Sequence, residues 1–221
     1  RPEDLAKQVV TMHNWNASAP CAKIRAIMRF YNVPLGLIWG KSSGPYKKLP
    51  VLKVGDRQIN DSHVIVKSLA PALIGRALSA AEVECERDTL THGMQLTFEA
   101  EALATAEDLR KLSSNVDVWG VPTLTSIFAD LISPVMSRGW ARRHPNLEPA
   151  VHSARAFKRA FPADTLFYHG AAPGLLDVAA YGTLLLFVEP GMGFARRALA
   201  EAGLEAWYAK MRARLPPESV I

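Results

Sequence analysis

The sequence predicts an α+β protein in which a small βαβ–ββα module precedes an all-α region. Short strand-like runs alternate with helical patterns over about the first 75 residues. From about Gly75 onward the strand signals fade, and Ala- and Leu-rich helical segments are separated by Pro and Gly. At 221 residues and 49% apolar composition, the chain can bury a sizeable core. We therefore expect two domains, residues 1–76 and 77–221.

The first three elements are predicted from residues 8–39. The run "QVVTMHN", residues 8–14, is typical of a strand. A helix is expected to begin near Ser18 and to end before Asn32, because apolar residues between them recur at helical spacing. The run "LGLIW", residues 35–39, then predicts a short second strand. This order is a βαβ unit.

The second half of the module is predicted to be a hairpin followed by a helix. The stretch "LPVLKVGDRQIND", residues 49–61, centres on Gly55 and Asp56, a pair typical of a tight turn between two strands. The stretch "DSHVIVKSLAPAL", residues 61–73, has a polar start and a helical pattern. These elements complete the order βαβ–ββα.

The remaining chain is predicted to form five helical segments. The fourth shows the clearest start signal, because Asp177 lies three residues after Gly174 and its carboxylate can accept hydrogen bonds from free amides. The predicted segments are residues 79–112, 121–136, 147–160, 175–188 and 193–215, the last with a break near Gly203.

Cysteine and histidine usage argues against disulfide and metal scaffolds. Cys21 and Cys85 are too few for a disulfide framework and fit no zinc-site spacing, which favours a reducing compartment. The six histidines are scattered, and none forms a close ligand pair with a carboxylate or a cysteine. We therefore predict no metal site.

Charge, hydropathy and the first residue indicate the partners and the cellular compartment to expect. A net charge of +5 permits an acidic partner without requiring one. The longest apolar tracts are shorter than the roughly 20 residues that cross a bilayer, so a soluble or peripheral protein is expected. Because the chain begins with Arg1, we expect that a targeting peptide has been removed. Mitochondria are then the expected compartment, with another reducing organelle or the cytoplasm as alternatives.

Several short sequence segments resemble those of the glutathione transferase superfamily. They are "VVTMHNWNASAPCAKIRAIMRFYNVP", "KKLPVLKVGDRQINDSHVIV", "PGLLDVAAYGTL" and "EAWYAKMRARL". Their spacing is most similar to the membrane-associated type 2 prostaglandin E synthase group. The likeness covers residues 9–70 and 165–215 well and residues 80–160 loosely. It implies a thioredoxin-like N-terminal domain and a helical C-terminal domain.

The resemblance implies a glutathione pocket at two places. Leu49 and Pro50 match the cis-proline position where the leucine backbone faces the cysteinyl unit of glutathione. Asp61 and Ser62 match the helix start that binds the γ-glutamyl amine and carboxylate respectively. The alternative is that the same residues only build the fold. The resemblance also implies that a glutathione–haem complex can occupy such a site.

The nucleophile position departs from that group. Where the group has a Cys-Pro-Phe-Cys motif, this chain has Ser18, Ala19, Pro20 and Cys21. A serine hydroxyl stays protonated and is a poor nucleophile without a base, although it can donate a hydrogen bond to a thiolate. Cys21 is better explained as a small core residue than as a reactive thiol.

Cys85 is expected to be unreactive. It lies among Glu82, Glu84 and Glu86, and nearby negative charge raises the pKa of a thiol. Its position therefore offers no substitute for the missing nucleophile.

Three function hypotheses follow. The first is a glutathione-dependent isomerase or transferase of the prostaglandin E synthase kind, with catalysis weakened or lost at Ser18. The second is a non-catalytic accessory subunit of a large mitochondrial or other organellar complex, which binds other subunits or a second copy of itself. It fits the missing thiol and the aromatic residues expected at the surface, Trp39, Trp119 and Trp140.

The third hypothesis is a nucleic-acid-binding module. Residues 138–159 carry six Lys or Arg and one acid, so a nucleic acid or an anionic lipid surface is a candidate partner. Residues 82–108 are rich in acids, and the two stretches are able to neutralise each other within the fold or across an interface. A solvated or protein-facing surface is therefore favoured over nucleic acid, and peripheral membrane association stays open.

Overall fold

The computed structural model describes residues 1–114 and 127–217. Its N-terminal part has the predicted βαβ–ββα order, preceded by one short helix that the sequence did not predict. The elements are α1 (Pro2–Ala6), β1 (Val10–Asn14), α2 (Ala19–Phe30), β2 (Gly36–Trp39), β3 (Val51–Val54), β4 (Arg57–Asn60) and α3 (Ser62–Ile74).

The four strands form one mixed sheet in the order β2-β1-β3-β4. β1 is parallel to β2 and antiparallel to β3, and β3 is antiparallel to β4. The β3–β4 turn is tight because Val54 pairs with Arg57, and Gly55 adopts a left-handed φ of 56° there. β2 and β4 are therefore the two edges of the sheet.

The described residues after α3 are mainly helical, which confirms the predicted all-α region. One predicted helix, 79–112, is instead divided among four elements. The elements are α4 (Ala80–Glu84), a π-helix (Cys85–Gln95), α5 (Leu96–Ala104), α6 (Ala106–Ser114), α7 (Ala129–Arg143), α8 (Ala150–Arg159), α9 (Leu175–Val188), α10 (Gly193–Ala202) and α11 (Glu205–Arg214).

Two helix predictions are corrected by local contacts. Thr105 is extended and ends α5, while its Oγ1 accepts a hydrogen bond from the Asp108 N–H at 3.1 Å and so caps α6. The helix predicted over 121–136 lies partly outside the described residues, and its described part continues to Arg143. Next to Pro134 inside this helix, the Ser133 hydroxyl donates to the Leu103 carbonyl oxygen at 2.8 Å, which helps hold α7 on α5.

Asp177 caps α9 as the sequence predicts. All fourteen residues of α9 are buried. The Asp177 carboxylate accepts from the Gly174 N–H at 3.0 Å, the Tyr168 N–H at 2.9 Å and the Trp207 Nε1–H at 2.9 Å. The helix start, the preceding loop and α11 are thus joined through one buried carboxylate.

α9 packs directly on α2 through Gly182. A Cβ atom at this position would lie 2.7 Å from Ala26 Cβ, 2.8 Å from Lys23 Cα and 2.9 Å from the Ala22 carbonyl oxygen. Side chains larger than hydrogen do not fit between the two backbones. This contact fixes α2, and with it Ser18 at the start of α2, against the helical domain.

The predicted surface exposure of three tryptophans has a different outcome for each. Trp39 is exposed. Trp140 is only partly buried by area, but it packs against Leu103, Leu109 and Ala129, and its Nε1 is shielded from water without a hydrogen-bond partner. The prediction of an exposed Trp140 is therefore wrong, and Trp119 lies outside the described residues.

The acidic and basic stretches do not neutralise each other through ion pairs in the described residues. Arg155 instead pairs with Glu201 at 2.9 Å, and Glu82 pairs with Arg76 at 2.6 Å. Among the described residues, two hydrogen bonds join the stretches, from the Ala150 N–H to Glu101 Oε1 at 2.7 Å and between the Thr97 and Ser153 hydroxyls at 2.9 Å. Most of the basic side chains of residues 138–159 consequently face solvent.

We expect Gly182→Ala to lower the free energy of unfolding by at least about 2 kcal/mol, because the new methyl group overpacks two backbones. Gly139→Ala in α7 is the matched control, since a Cβ there meets nothing within 4 Å. It should leave stability unchanged or raise it by up to about 1 kcal/mol. Urea unfolding of both variants measures this, and equal stabilities would contradict the close packing of α2 on α9.

Candidate functional site

Strand register brings the predicted site segments to one end of the sheet. His13, the penultimate residue of β1, pairs with Val51, and Val51 pairs with Asn60 at the end of β4. The loop to Ser18, the Leu49–Pro50 peptide and the start of α3 therefore leave the sheet side by side. This is the arrangement required of a common binding site.

The Leu49–Pro50 peptide bond is cis, as predicted. Pro50 is buried, and the half-buried Leu49 side chain packs against the main core. Within the described residues, the N–H and carbonyl oxygen of Leu49 make no hydrogen bond. These two groups are available to an extended ligand backbone.

Asp61 and Ser62 start α3. Asp61 is the N-cap residue, and its Oδ1 accepts a hydrogen bond from the His63 N–H at 2.9 Å. Its backbone has φ 74° and ψ 132°, a conformation that costs free energy for a residue with a side chain. Ser62 is buried beside it. A strained backbone therefore holds the Asp61 carboxylate at a helix start that also offers free N–H groups.

Ser18 is the N-cap residue of α2, but its side chain makes no capping hydrogen bond. Its hydroxyl is partly exposed and lies one helical turn before Cys21. Cys21 is fully buried, and burial raises the pKa of its thiol, an effect that a hydrogen bond with the Ser18 side chain opposes. This environment favours a protonated core thiol at Cys21. Neither Cys21 nor Ser18 therefore supplies a thiolate.

Cys85 is also a buried thiol. Burial raises its pKa to about 12, and the nearby charge of Glu86 adds to this effect. The acidic neighbours in the sequence predict an unreactive thiol, and the structure shows that burial is the larger cause.

A buried arginine supports the loop that carries Ser18. Arg25 Nη1 donates to Asn14 Oδ1, and its Nη2 donates to the Asn16 carbonyl oxygen at 3.3 Å. Burial lowers the pKa of Arg25 to about 10. The end of β1 and the start of α2 are thus joined through this guanidinium group.

A second buried cation links three elements. Lys23 Nζ in α2 donates to Glu86 Oε1 and Thr91 Oγ1, both at 2.8 Å, and His63 Nδ1 in α3 contacts the other oxygen of Glu86. Burial opposes ionisation of Glu86, but Lys23 and His63 together hold its pKa at about 2. The cluster connects the starts of both site helices to the helical domain.

Glu99 in α5 has the most unusual protonation equilibrium near the site. Burial raises its pKa to about 7, and the charge of Lys23 only partly offsets this. Its charge also raises the pKa of Cys21, so the carboxylate acts electrostatically on the start of α2. Glu99 is therefore a half-buried acid that ionises close to neutral pH.

The sequence did not single out Lys23, Arg25, Glu86 or Glu99 as site residues. The available signal was a pair of cations in α2, a helix whose other residues are nearly all apolar. Partners for these cations cannot be read from spacing, because Glu86 lies 63 positions from Lys23. In the parts of the chain that the structure describes, no group of three acidic, His or Cys side chains could hold a metal ion. Within the same parts, no helix is long and apolar enough to cross a bilayer.

We expect Glu99→Gln to stabilise the protein in a pH-dependent way. A folded-state pKa of about 7, above the ordinary value, means that ionisation costs stability as pH rises from about 4.5 to about 7. The glutamine variant avoids this cost, so its gain should be nearly absent at pH 4.5 and reach roughly 3 kcal/mol at pH 8.

Urea unfolding at several pH values measures this gain, with the exposed Glu84→Gln as the control that should show none. A gain that is equal at pH 4.5 and at pH 8 would show that the carboxyl is not held in an unfavourable environment.

Solved structures of two glutathione S-transferases and of one isomerase share this architecture. Human glutathione S-transferase T1-1 is 16% identical, with a TM-score of 0.58 over 95% of this chain and 85% of that chain. A Ceriporiopsis subvermispora glutathione S-transferase in complex with glutathione is 18% identical, with a TM-score of 0.59 over 96% and 98%. The maleylacetoacetate isomerase of Anaeromyxobacter dehalogenans, with glutathione in its active site, is 17% identical, with a TM-score of 0.53 over 95% and 93%.

Sequence comparisons add no closer relative. No protein-family model matches the chain, and no curated protein matches it in sequence. Structural likeness at such low identity establishes the fold alone. The chain has the glutathione transferase fold, with a four-stranded mixed sheet, flanking helices and a helical C-terminal region.

Proposed function

We propose that this chain is a glutathione-binding protein of the glutathione transferase superfamily, related to type 2 prostaglandin E synthases, in which catalysis is weakened or lost. The observation that carries the proposal is the start of α3, where Asp61 is held at a positive φ. Backbone strain of this kind is concentrated at ligand sites, where the surrounding structure maintains it.

The residues present fit glutathione by chemical type. Asp61 Oδ2 accepts no hydrogen bond from the described residues and suits the ligand's ammonium group. Ser62 and the free N–H groups of α3 suit its γ-glutamyl carboxylate. The unpaired backbone groups of Leu49 suit its cysteinyl unit. Each of these groups lies at the same end of the sheet.

The hydroxyl group of Ser18 limits the catalysis that this site can perform. Glutathione supplies a thiol as the nucleophile when it is bound. The Ser18 hydroxyl makes no capping hydrogen bond, and in this proposal it turns from Cys21 to donate to that sulfur and favours its thiolate form, with help from the α2 N-terminus. Because Cys21 is buried, the protein supplies no thiolate of its own. Isomerisation of an endoperoxide to a prostaglandin E-type product is the finer form of this proposal.

A second candidate function is that of an accessory subunit in a mitochondrial or other organellar complex. It is favoured by the exposed apolar side chains of β2, which a protein partner would cover. The native mass after gentle detergent extraction separates the two candidates. Migration near one or two chains supports the glutathione-binding enzyme, and co-migration with a large complex supports the subunit.

We expect reduced glutathione to bind the protein and Asp61→Asn to weaken that binding about tenfold, because an amide loses the charge that faces the ligand's ammonium group. Asparagine tolerates the positive φ and keeps the capping acceptor, so the fold should survive. Isothermal titration calorimetry measures the affinity, with the exposed Asp56→Asn as control. Equal affinities in all three proteins would place the ligand elsewhere.

We expect Ser18→Cys to create a reactive thiol with a pKa below the ordinary value of about 8.5, because it lies at a helix N-terminus. Thiol-dependent activity with glutathione should rise with it. The pH dependence of alkylation, followed by mass spectrometry, measures this pKa. Ser43→Cys on the exposed loop is the control and should keep the ordinary reactivity. Identical alkylation profiles and an unchanged rate would contradict the assignment of Ser18 to the site.

A further inference from the structure

β2 is an uncovered edge strand. It pairs with β1 on one side, and no described segment pairs with its other side. All four of its residues are exposed, including Leu37 at 42%, Ile38 at 41% and Trp39 at 55%. Soluble proteins protect such edges with charges, prolines or covering segments, because unpaired N–H and carbonyl groups invite another strand. Here three consecutive large apolar side chains are left on the edge instead.

The segment after β2 does not cover it. Residues 40–48 form neither a helix nor a strand, and they return to Pro50 as an irregular loop. The loop carries Lys41, Lys47 and Lys48, all exposed. The edge therefore combines apolar side chains with cations that follow directly along the chain.

The whole surrounding sequence lacks negative charge. No Asp or Glu occurs from residue 5 to residue 55. The same stretch contains eight basic residues, namely Lys7, Lys23, Arg25, Arg29, Lys41, Lys47, Lys48 and Lys53. Two of these, Lys23 and Arg25, are buried, and Lys7 pairs with Asp4 at 3.4 Å. Arg29 and the lysines of residues 40–48 are the exposed cations that flank β2 along the chain, and they favour an acidic partner.

A cleft lies beside the start of β2. It has a volume of about 240 Å³ and is lined by Leu37 of β2, by Leu35, and by Met28 and Arg29 of α2. Arg25 lies at its base. Its walls are apolar and its charged groups are cationic, so it suits a side chain with an apolar stem and a carboxylate end.

We propose that the β2 edge docks an extended segment of another protein, rich in alternating acidic and apolar residues, which adds to the sheet as a fifth strand. Main-chain hydrogen bonds to β2 provide the affinity. Alternate side chains fall on opposite faces of the added strand, so one set reaches the cleft and the other contacts the second face of β2. The lysines of residues 40–48 select the acidic partner.

This occupant explains the edge better than two others. A second copy paired through β2 would bring the exposed cations Arg29, Lys41 and Lys47 of both chains together, which repels. A nucleic acid would use the cations and Trp39, but it has no use for the exposed aliphatic side chains Leu37 and Ile38. Both remain as outcomes of the test.

The probe is an acetylated and amidated hexapeptide of alternating glutamate and valine, titrated into the full chain. Nuclear magnetic resonance follows the amides of Gly36–Trp39 and their rate of hydrogen exchange. We expect shifts confined to β2, α2 near Arg29 and the 40–48 loop, with slower exchange of the β2 amides. A lysine–valine peptide should bind at least about tenfold more weakly.

Two changes test the mode of docking. A glutamate–valine peptide with N-methylated valines cannot pair along one edge and should lose binding, because main-chain hydrogen bonds carry the affinity. In the protein, Arg29→Gln and Ile38→Thr should each weaken binding at least about threefold. Arg142→Gln and Val64→Thr, an exposed arginine and an exposed apolar residue elsewhere, are the matched controls and should bind as the wild type does.

Four results would overturn the proposal. They are equal binding of the lysine–valine peptide, full binding of the N-methylated peptide, displacement of the peptide by saturating glutathione, and displacement by a short single-stranded oligonucleotide. A concentration-dependent dimer that Ile38→Thr abolishes in sedimentation velocity would assign the edge to a second copy. Apart from displacement by glutathione, none of these results depends on whether glutathione binds through Asp61, so the two proposals can be tested independently.

Discussion

The approach of two helix backbones at Gly182 is the constraint on which the site depends. α2 is covered by the sheet module on one side and by α9 on the other, and residues 21–28 are all buried. Lys23 and Arg25 lie within this enclosed stretch. A buried cation without a partner is strongly destabilising, so the fold must provide acceptors for both. The surroundings of the candidate site follow from how it does so.

The two cations are satisfied in different ways. Arg25 donates to the neighbouring loop through Asn14 and Asn16, which holds the segment that leads to Ser18. Lys23 reaches the helical domain, where the π-helix presents Glu86 and Thr91 together. In an α-helix, residues five apart point in directions about 140° apart, whereas the i→i+5 repeat of a π-helix places them on one face. The π-helix geometry therefore lets Glu86 and Thr91 both accept hydrogen bonds from the buried Lys23.

Local patterns were enough to predict the strands, the hairpin, the bounds of α9 and the cap by Asp177, because each depends on residues close in sequence. The same is true of the polar start of α3, whereas the cis bond at Pro50 was implied by the resemblance to glutathione transferases. The π-helix was not predicted, and its contact with Lys23 joins residues 63 positions apart, which no local pattern reveals. Trp140 was misjudged for a related reason.

Trp140 lies in a polar stretch and looks exposed by its neighbours in the sequence. It is partly covered because α7 folds onto Leu103 and Leu109, which belong to other helices. The end of α7 was misplaced for the same reason, because Trp140, which packs on Leu103 and Leu109, lies beyond the predicted end at residue 136. Tertiary contact, rather than weak local signal, separates what the sequence predicted from what it missed.

The electrostatics of the site bear on whether catalysis survives. A thiolate at the start of α2 is favoured by the helix N-terminus and by the Ser18 hydroxyl. The two buried cations of α2 are already held, Lys23 by Glu86 and Arg25 by Asn14 and Asn16. Glu99, once ionised above its pKa of about 7, places a negative charge on the same side of α2. A glutathione thiolate would therefore gain less stabilisation from α2 than from a helix that offers an uncommitted cation. This balance supports ligand binding with reduced reactivity.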